Sequence, residues 1–348
     1  MLSLFRRRSG AVVVQTAYMG DVILTTPLLT ALAAQHGPVD VVVTPQSATL
    51  LDTHPAVREV IRYDKRGADK GWPGLRRVAG QLRRRRYEAA YLPHRSWRSA
   101  TMVLLARVPE RIGFEDSPAA SLYTRRLPRP VQAHETARLW SLSGMPASAP
   151  VPPVTLGLTP EDEAEADRWL AGHGITGPFV ALGPGSPWGA KRWPYYPEFA
   201  ARLTEPVVAI GGPTDAVIGN AIEAAAPGRA HSACGQVGPR TSTALIARAA
   251  GLVTNDSSPL HLALATRTPM VALFGPSTPS FGFGPLDSNA VCLGQDELLC
   301  RPCASYGPAT CPLEHHRCLR ELSISRVADA LARVRQRQGG PSGSSPRS

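Results

Sequence analysis

Apolar residues along this chain fall into short unbroken runs, separated by longer stretches with helical spacing. The runs 11–15, 39–43 (VDVVV), 88–92, 178–182 (PFVAL), 206–210 (PVVAI), 251–254 and 269–274 (PMVALF) are rich in valine and end in glycine, proline or polar residues. Such runs predict strands buried on both faces, the pattern of a parallel sheet. Between them, helical spacing predicts helices near 26–35, 74–86, 96–106, 160–172, 196–203, 215–225, 241–249, 259–266 and 323–336. Strands alternating with helices imply βαβ units. The proline-rich stretch 144–162 (GMPASAPVPPVTLGLTPED) precludes a regular helix and predicts an extended linker. The expected architecture is α/β, with two doubly wound Rossmann-like domains facing each other across a cleft. Ligands of such sheets bind beyond the carboxyl ends of the strands, where every polar motif described below falls except the cysteines.

Composition adds little to this picture, but the distribution of charge adds more. The 348 residues suffice for two cores, 43% apolar content is that of a globular protein, and no run approaches the roughly 20 apolar residues of a membrane span. The arginines of MLSLFRRRSG precede a short strand-like run rather than a long apolar core, so no secretory signal is read and a cytoplasmic location is expected. The net charge of +11 lies wholly in residues 1–150, which hold 22 Lys+Arg against 11 Asp+Glu, whereas residues 151–348 hold 16 of each. The run 75–88 (LRRVAGQLRRRRYE), taken by itself, reads as a solvated helix face. The asymmetry of a whole half instead suggests an acidic partner: a nucleic acid, a phosphorylated glycolipid or an anionic membrane surface. Nucleic acid is disfavoured, because the basic half lacks the interleaved aromatics of a base-stacking platform.

Six segments carry candidate chemistry. In AVVVQTAYMGDVILTTPLL (11–29), Asp21 follows Gly20 inside apolar sequence, as a helix cap or as a carboxylate held for proton chemistry. In ALGPGSPWGAKRWP (181–194), a strand enters a Gly/Pro/Ser loop that offers Ser186 and the Lys191 ammonium to phosphate oxygens. AIGGPTDA (209–216) places Asp215 at a helix start, to cap it or to accept from ribose hydroxyls. In GLVTNDSSPLHLALA (251–265), Ser258 suits the N-cap and Pro259 the first helical position, which frees Asp256 to face a ligand. The N–H groups at Ser257 and Ser258 would then face an anion, with His261 in the first turn as a contact or a packed core residue. ALFGPSTP (272–279) is expected in the same wall. Finally, Cys300, Cys303, Cys311 and Cys318 crowd into 19 residues with His315 and His316 between them, a spacing that suggests structural zinc or buried thiols.

The segments GDVILTTPLLTAL, PGSPWGAKRWP and TNDSSPLHLALATRTPMVALFGPSTP resemble, in order, those of glycosyltransferase family 9, the ADP-heptose:lipopolysaccharide heptosyltransferases. The correspondence runs over about 11–335. The cysteine segment is similar to one in heptosyltransferase II-like members. The resemblance implies a GT-B fold with an N-terminal acceptor domain (1–150) and a C-terminal nucleotide-sugar domain (151–322). It also implies a C-terminal helix (323–337) packing back on the first domain, before a disordered tail (338–348). The implied reaction is inverting transfer of heptose from ADP-L-glycero-D-manno-heptose to the phosphorylated lipid A-core, at the inner face of the inner membrane, with no cofactor required for catalysis. Transfer of another sugar, or epimerisation of a sugar nucleotide, is the alternative on the same fold. By motif match, Asp21 is the base, Ser186 and Lys191 contact the diphosphate, Asp215 lies near the ribose, and Asp256 contacts the donor sugar. Ser257 and Ser258 match the phosphate cradle, with His261 beside them. Gly20, Thr25, Arg95 and Arg98 are expected on the acceptor side. Ser258-Pro259 departs from the family, which commonly has glycine and then leucine or proline there.

Overall fold

The computed structural model describes residues 10–146, 148–286, 288–304 and 306–339, and the chain divides into two units at Thr159/Pro160. In the first unit, six strands form one parallel sheet: β1 (Ala11–Val14), β2 (Val39–Val43), β3 (Val57–Arg62), β4 (Ala89–Leu92), β5 (Glu110–Phe114) and β6 (Arg125–Leu127). Their order is β3-β2-β1-β4-β5-β6. The helices of this unit are α1 (Met19–Leu24), α2 (Thr26–His36), α3 (Pro45–Ala48), α4 (Gly71–Arg85), α5 (Trp97–Leu105) and α6 (Glu135–Trp140). The valines of β1 and β2 are buried on both faces, as their unbroken apolar runs predict. Packed side by side, α4 and α5 cover one face, where Leu75, Val78, Leu82, Met102 and Val103 join Val12, Val14 and Leu92 in the core. The sheet order reverses between β1 and β4, so the loops leaving these two strands part and open a crevice.

The second unit repeats the plan. Its parallel strands are β7 (Val180–Gly183), β8 (Val207–Ala209), β9 (Ala230–Ser232), β10 (Gly251–Asn255), β11 (Met270–Leu273) and β12 (Ala290–Leu293), in the order β12-β11-β10-β7-β8-β9. Its helices are α7 (Pro160–Gly172), α8 (Tyr196–Arg202), α9 (Ala216–Ala225), α10 (Pro239–Arg248), α11 (Ser258–Thr266), α12 (Arg317–Arg320) and α13 (Ile324–Gly339). Here the order reverses between β7 and β10. Trp193, fully buried, meets Tyr196 and Phe199 edge-on and donates from Nε1 to the Leu322 carbonyl at 2.9 Å. This joins the turn after β7 to the chain end.

Several sequence expectations are corrected. The pattern missed β3, β5, β6, β9 and β12. Four of these lie at sheet edges, where one side needs no apolar cover, and Glu110, Arg125 and Arg126 interrupt the remaining signal. The boundary falls after Thr159 rather than at 150, because the linker is tied to the first unit. Thr155 N–H donates to Thr26 Oγ1 at 3.2 Å, and Gly157 lies so close to the Thr53 carbonyl that a Cβ would meet it at 2.3 Å. The apolar face of α13 (Val327, Ala330, Leu331, Val334) packs in the core of the second unit, against β10, β11, β12 and α8. Of the expected tail, residues 338 and 339 close α13, and 340–348 lie outside the described residues.

Candidate active site

Asp21 sits in the loop-to-helix turn at the crevice of the first sheet. It is the third residue of α1, and its Oδ2 accepts the Tyr18 N–H at 3.1 Å, so it does stabilise the helix start. That function leaves its charge poorly solvated. Removal from water pushes its carboxyl up to about 6, the nearby Glu135 charge pushes the same way, and the Tyr18 N–H and the Arg129 charge oppose them only in part. Thr25 is buried, with its hydroxyl donating to the Asp21 carbonyl at 2.7 Å and accepting from Gln15 Nε2 at 3.0 Å. It braces the turn and presents nothing to an acceptor, contrary to the expectation for it. Gly20 is buried within α1.

Glu135 carries no sequence motif and was missed. It opens α6, is buried, and accepts from Arg129 at 3.0 Å and from Arg138 at 2.9 Å. Arg129 continues to Asp116 at 3.9 Å, and Arg95 meets the same carboxylate at 3.5 Å while donating to the Asp116 carbonyl at 2.7 Å. Arg95 is therefore held in an ion network that runs toward the Asp21 turn. Arg98 is exposed beside Tyr63 and Lys65. Next to them His94, with no partner for its buried Nδ1 among the described residues, is driven down to about 4 by burial and by the Lys65 charge. Lys65 and His94 were also missed, because lone residues of this kind in loops carry no spacing signal.

The titration of Asp21 has a sign that can be checked. A base must be ionised, so activity is expected to rise through pH 6 and then level off. Stability moves the other way. The folded chain holds this proton more tightly than the unfolded chain, so ionising Asp21 costs stability as the pH rises from 3.8 to about 6. Glu135→Gln removes the repelling charge and leaves Arg129 and Arg138 less compensated, so the acid limb of the pH–rate profile should move to lower pH. An unmoved limb with an intact thermal transition would show that Glu135 does not act on Asp21.

In the second unit, the loops after β7, β8, β10 and β11 bring the donor-side candidates together. Lys191, at the end of a single 3-10 turn, donates to Asp256 Oδ2 at 2.5 Å, and Ser277 Oγ donates to the same oxygen at 2.6 Å. Asp256 stands at the carboxyl end of β10, just before α11. There Ser257 is the N-cap and Ser258-Pro259 open the helix, one residue earlier than the sequence suggested, and the Ser257 side chain makes no cap bond. Beyond Lys191, Arg192 donates twice to the Ser186 carbonyl, at 2.9 and 2.7 Å, and lies 3.6 Å from Asp215 Oδ1. Ser186 is buried, and its Oγ accepts the Trp188 N–H at 3.2 Å. Asp215 accepts the Gly212 N–H at 3.0 Å and packs against Gly185 so closely that a Cβ there would lie 2.3 Å from its carboxyl group. His261 is buried in α11.

The cysteine segment serves as the wall behind this loop. His316 Nε2 lies 2.8 Å from the Ala190 carbonyl, and a Cβ on Gly307 would strike the Lys191 stem at 2.9 Å. Arg301 donates to the Phe274 and Ser277 carbonyls, each at 3.0 Å, and so braces the loop that carries Ser277. The thiols of Cys300, Cys303, Cys311 and Cys318 are free. Cys300 Sγ is 4.0 Å from His315 Nε2, and Cys318 is buried in the core, where burial raises its thiol to about 11. Among the described residues no three His, Cys, Asp or Glu side chains converge as a metal-holding set.

The sequence profile of glycosyltransferase family 9 (heptosyltransferase) matches residues 75–314. The chain belongs to glycosyltransferase family 9. This transferase is 29% identical to lipopolysaccharide heptosyltransferase 2 of Salmonella typhimurium, over 77% of its own length and 83% of that protein. It is 30% identical to lipopolysaccharide heptosyltransferase 1 of Pseudomonas aeruginosa, over 91% of its length and 96% of that protein. Its fold is similar to that of E. coli ADP-heptose LPS heptosyltransferase II, with a TM-score of 0.79, 25% identity, and coverage of 95% of this chain and 100% of that one. The glycosyltransferase is thus of the GT-B class, with Asp21 at one switch-point crevice and the hydrogen-bonded Lys191 and Asp256 at the other.

Proposed function

We propose that the enzyme transfers heptose from an ADP-activated donor to the inner core of lipopolysaccharide, with inversion at the anomeric carbon. The reading is carried by Asp21, a carboxyl at a sheet crevice whose proton affinity is raised to about 6. A carboxylate of this basicity takes the acceptor hydroxyl proton as the oxygen attacks the sugar carbon, while the bond to the diphosphate breaks on the opposite side. Charge develops on the leaving ADP. Lys191 and the open first turn of α11 provide the positive field that stabilises it. Asp215, which is held against Gly185, accepts from the ribose hydroxyls in this reading, and Asp256 meets the sugar. The named relatives and the ADP-heptose enzyme of similar fold support this donor and acceptor over another sugar or an epimerisation.

The acceptor is a phosphorylated lipid-linked core, and the charge excess of the first 150 residues suits it. Among the described residues no helix is long and apolar enough to cross a membrane. The enzyme is read as working peripherally, at the cytoplasmic face of the membrane that carries its acceptor. Incubation with ADP-heptose and a deacylated core oligosaccharide should release ADP only when the acceptor is present, with one heptose added to the product by mass. ADP release without acceptor, or an isomerised donor recovered in place of product, would overturn the reading.

A further inference from the structure

Surface helices ordinarily turn their apolar side inward and their polar side to water. The helix α5 has apolar residues on both sides. Inward it buries Ala100, Met102 and Val103. Outward it exposes Trp97 at 52% and Leu104 and Leu105 at 40% each. At 3.6 residues per turn these positions, with Thr101, fall within one arc of about 100°, so they form a stripe rather than a scatter. Its neighbour α4 carries Trp72 in its first turn, 61% exposed at the corresponding end, and the Arg76 guanidinium lies 6.0 Å from that ring. Down the outer side of α4 follow Arg83 and Arg84, both exposed.

The arginine run of α4 separates into two groups. Arg77 pairs with Asp69 at 2.7 Å, and Arg85 pairs with the buried Asp40 at 2.9 Å and with Glu59. These two fasten the helix. Among the described residues Arg76, Arg83 and Arg84 have no carboxylate within ion-pair distance, and neither do Arg98 and Arg107 near the ends of α5. The outer side of the helix pair therefore combines two tryptophans, two leucines and guanidinium groups that meet no carboxylate among the described residues, with no acid in the stripe.

From this we infer that the outer faces of α4 and α5 are the surface by which the enzyme docks on an anionic lipid bilayer. Trp72 and Trp97 seat at the headgroup level, where an apolar ring with a polar N–H is best accommodated, and Leu104 and Leu105 enter the acyl boundary. Arg76, Arg83 and Arg84 meet lipid phosphates, each adding attraction that falls off within a Debye length. A second copy of the chain fits less well, because a two-fold contact through this face would set guanidinium against guanidinium. The inference rests on the reading that the acceptor is carried by a membrane, and it identifies which face meets that membrane.

Co-sedimentation with vesicles of phosphatidylcholine, with and without phosphatidylglycerol, tests it. The wild-type chain should bind the phosphatidylglycerol vesicles and be released by salt. The triple variant Trp97→Ser/Leu104→Ser/Leu105→Ser and the charge variant Arg83→Glu/Arg84→Glu should each bind at least about tenfold more weakly. All the substituted side chains are exposed, so the thermal transition should be kept. The triple variant should also retain full activity on a deacylated, soluble acceptor. A wild-type chain that ignores anionic vesicles, or variants that bind them equally well, would overturn the inference. So would a solution dimer that the triple variant dissolves while no vesicle binding is seen. Vesicle binding by a chain without transferase activity would instead count against the proposed function and leave the docking face standing.

Discussion

Asp21→Asn is expected to lower kcat by about 10²–10⁴-fold while leaving the affinity for ADP unchanged. Asparagine has the same shape, and its carbonyl oxygen can still accept the Tyr18 N–H that Asp21 Oδ2 accepts now, so the start of α1 should survive. The substitution also removes a charge that burial disfavours, so thermal stability should hold or rise slightly at neutral pH. A loss of turnover could then not be blamed on unfolding. The capping and catalytic readings of Asp21 are thereby separated, since a residue that only caps predicts an unchanged kcat in this variant. Single-turnover kinetics alongside calorimetry with ADP would read both quantities.

Lys191→Ala is expected to weaken ADP binding by about tenfold to a hundredfold, the usual worth of a charge-assisted hydrogen bond. Two effects add. The ammonium no longer meets the diphosphate, and Asp256, only 10% exposed in its side chain, keeps a negative charge that Ser277 alone must solvate. The second effect can be isolated. Adding Asp256→Asn to Lys191→Ala removes the stranded charge, so part of the affinity should return even as turnover stays low. Calorimetry showing the same ADP affinity in Lys191→Ala as in the wild type would take Lys191 out of the donor site.

The two sites were legible in the sequence to different degrees. Lys191, Asp256 and the loop of Ser277 follow strands whose apolar runs are unbroken, so strand ends and loops could be placed together before any coordinates. That Lys191 and Asp256 would touch was not legible, because 65 residues separate them and only the pairing of β7 with β10 makes them neighbours. On the acceptor side, Asp21 stood out as one acid in apolar sequence. The ion network of Asp116, Arg129, Glu135 and Arg138 did not, since charged residues in loops look alike whether they are solvated or buried. Thr25 shows the converse failure, a polar residue in a motif that proves to be an internal brace.

The sequence by itself determined the alternation of parallel strands and helices, the two-unit plan, and the loops that hold the chemistry. These follow from local periodicity and from glycine, proline and polar punctuation, which act over a few residues. Tertiary structure alone decided which arginines of α4 meet a carboxylate and which do not among the described residues, and that α13 completes the second core. It also decided that Glu135 lies close enough to raise the proton affinity of Asp21. Charge interactions and burial depend on distance through space, and residues far apart along the chain acquire that distance only when the sheets assemble.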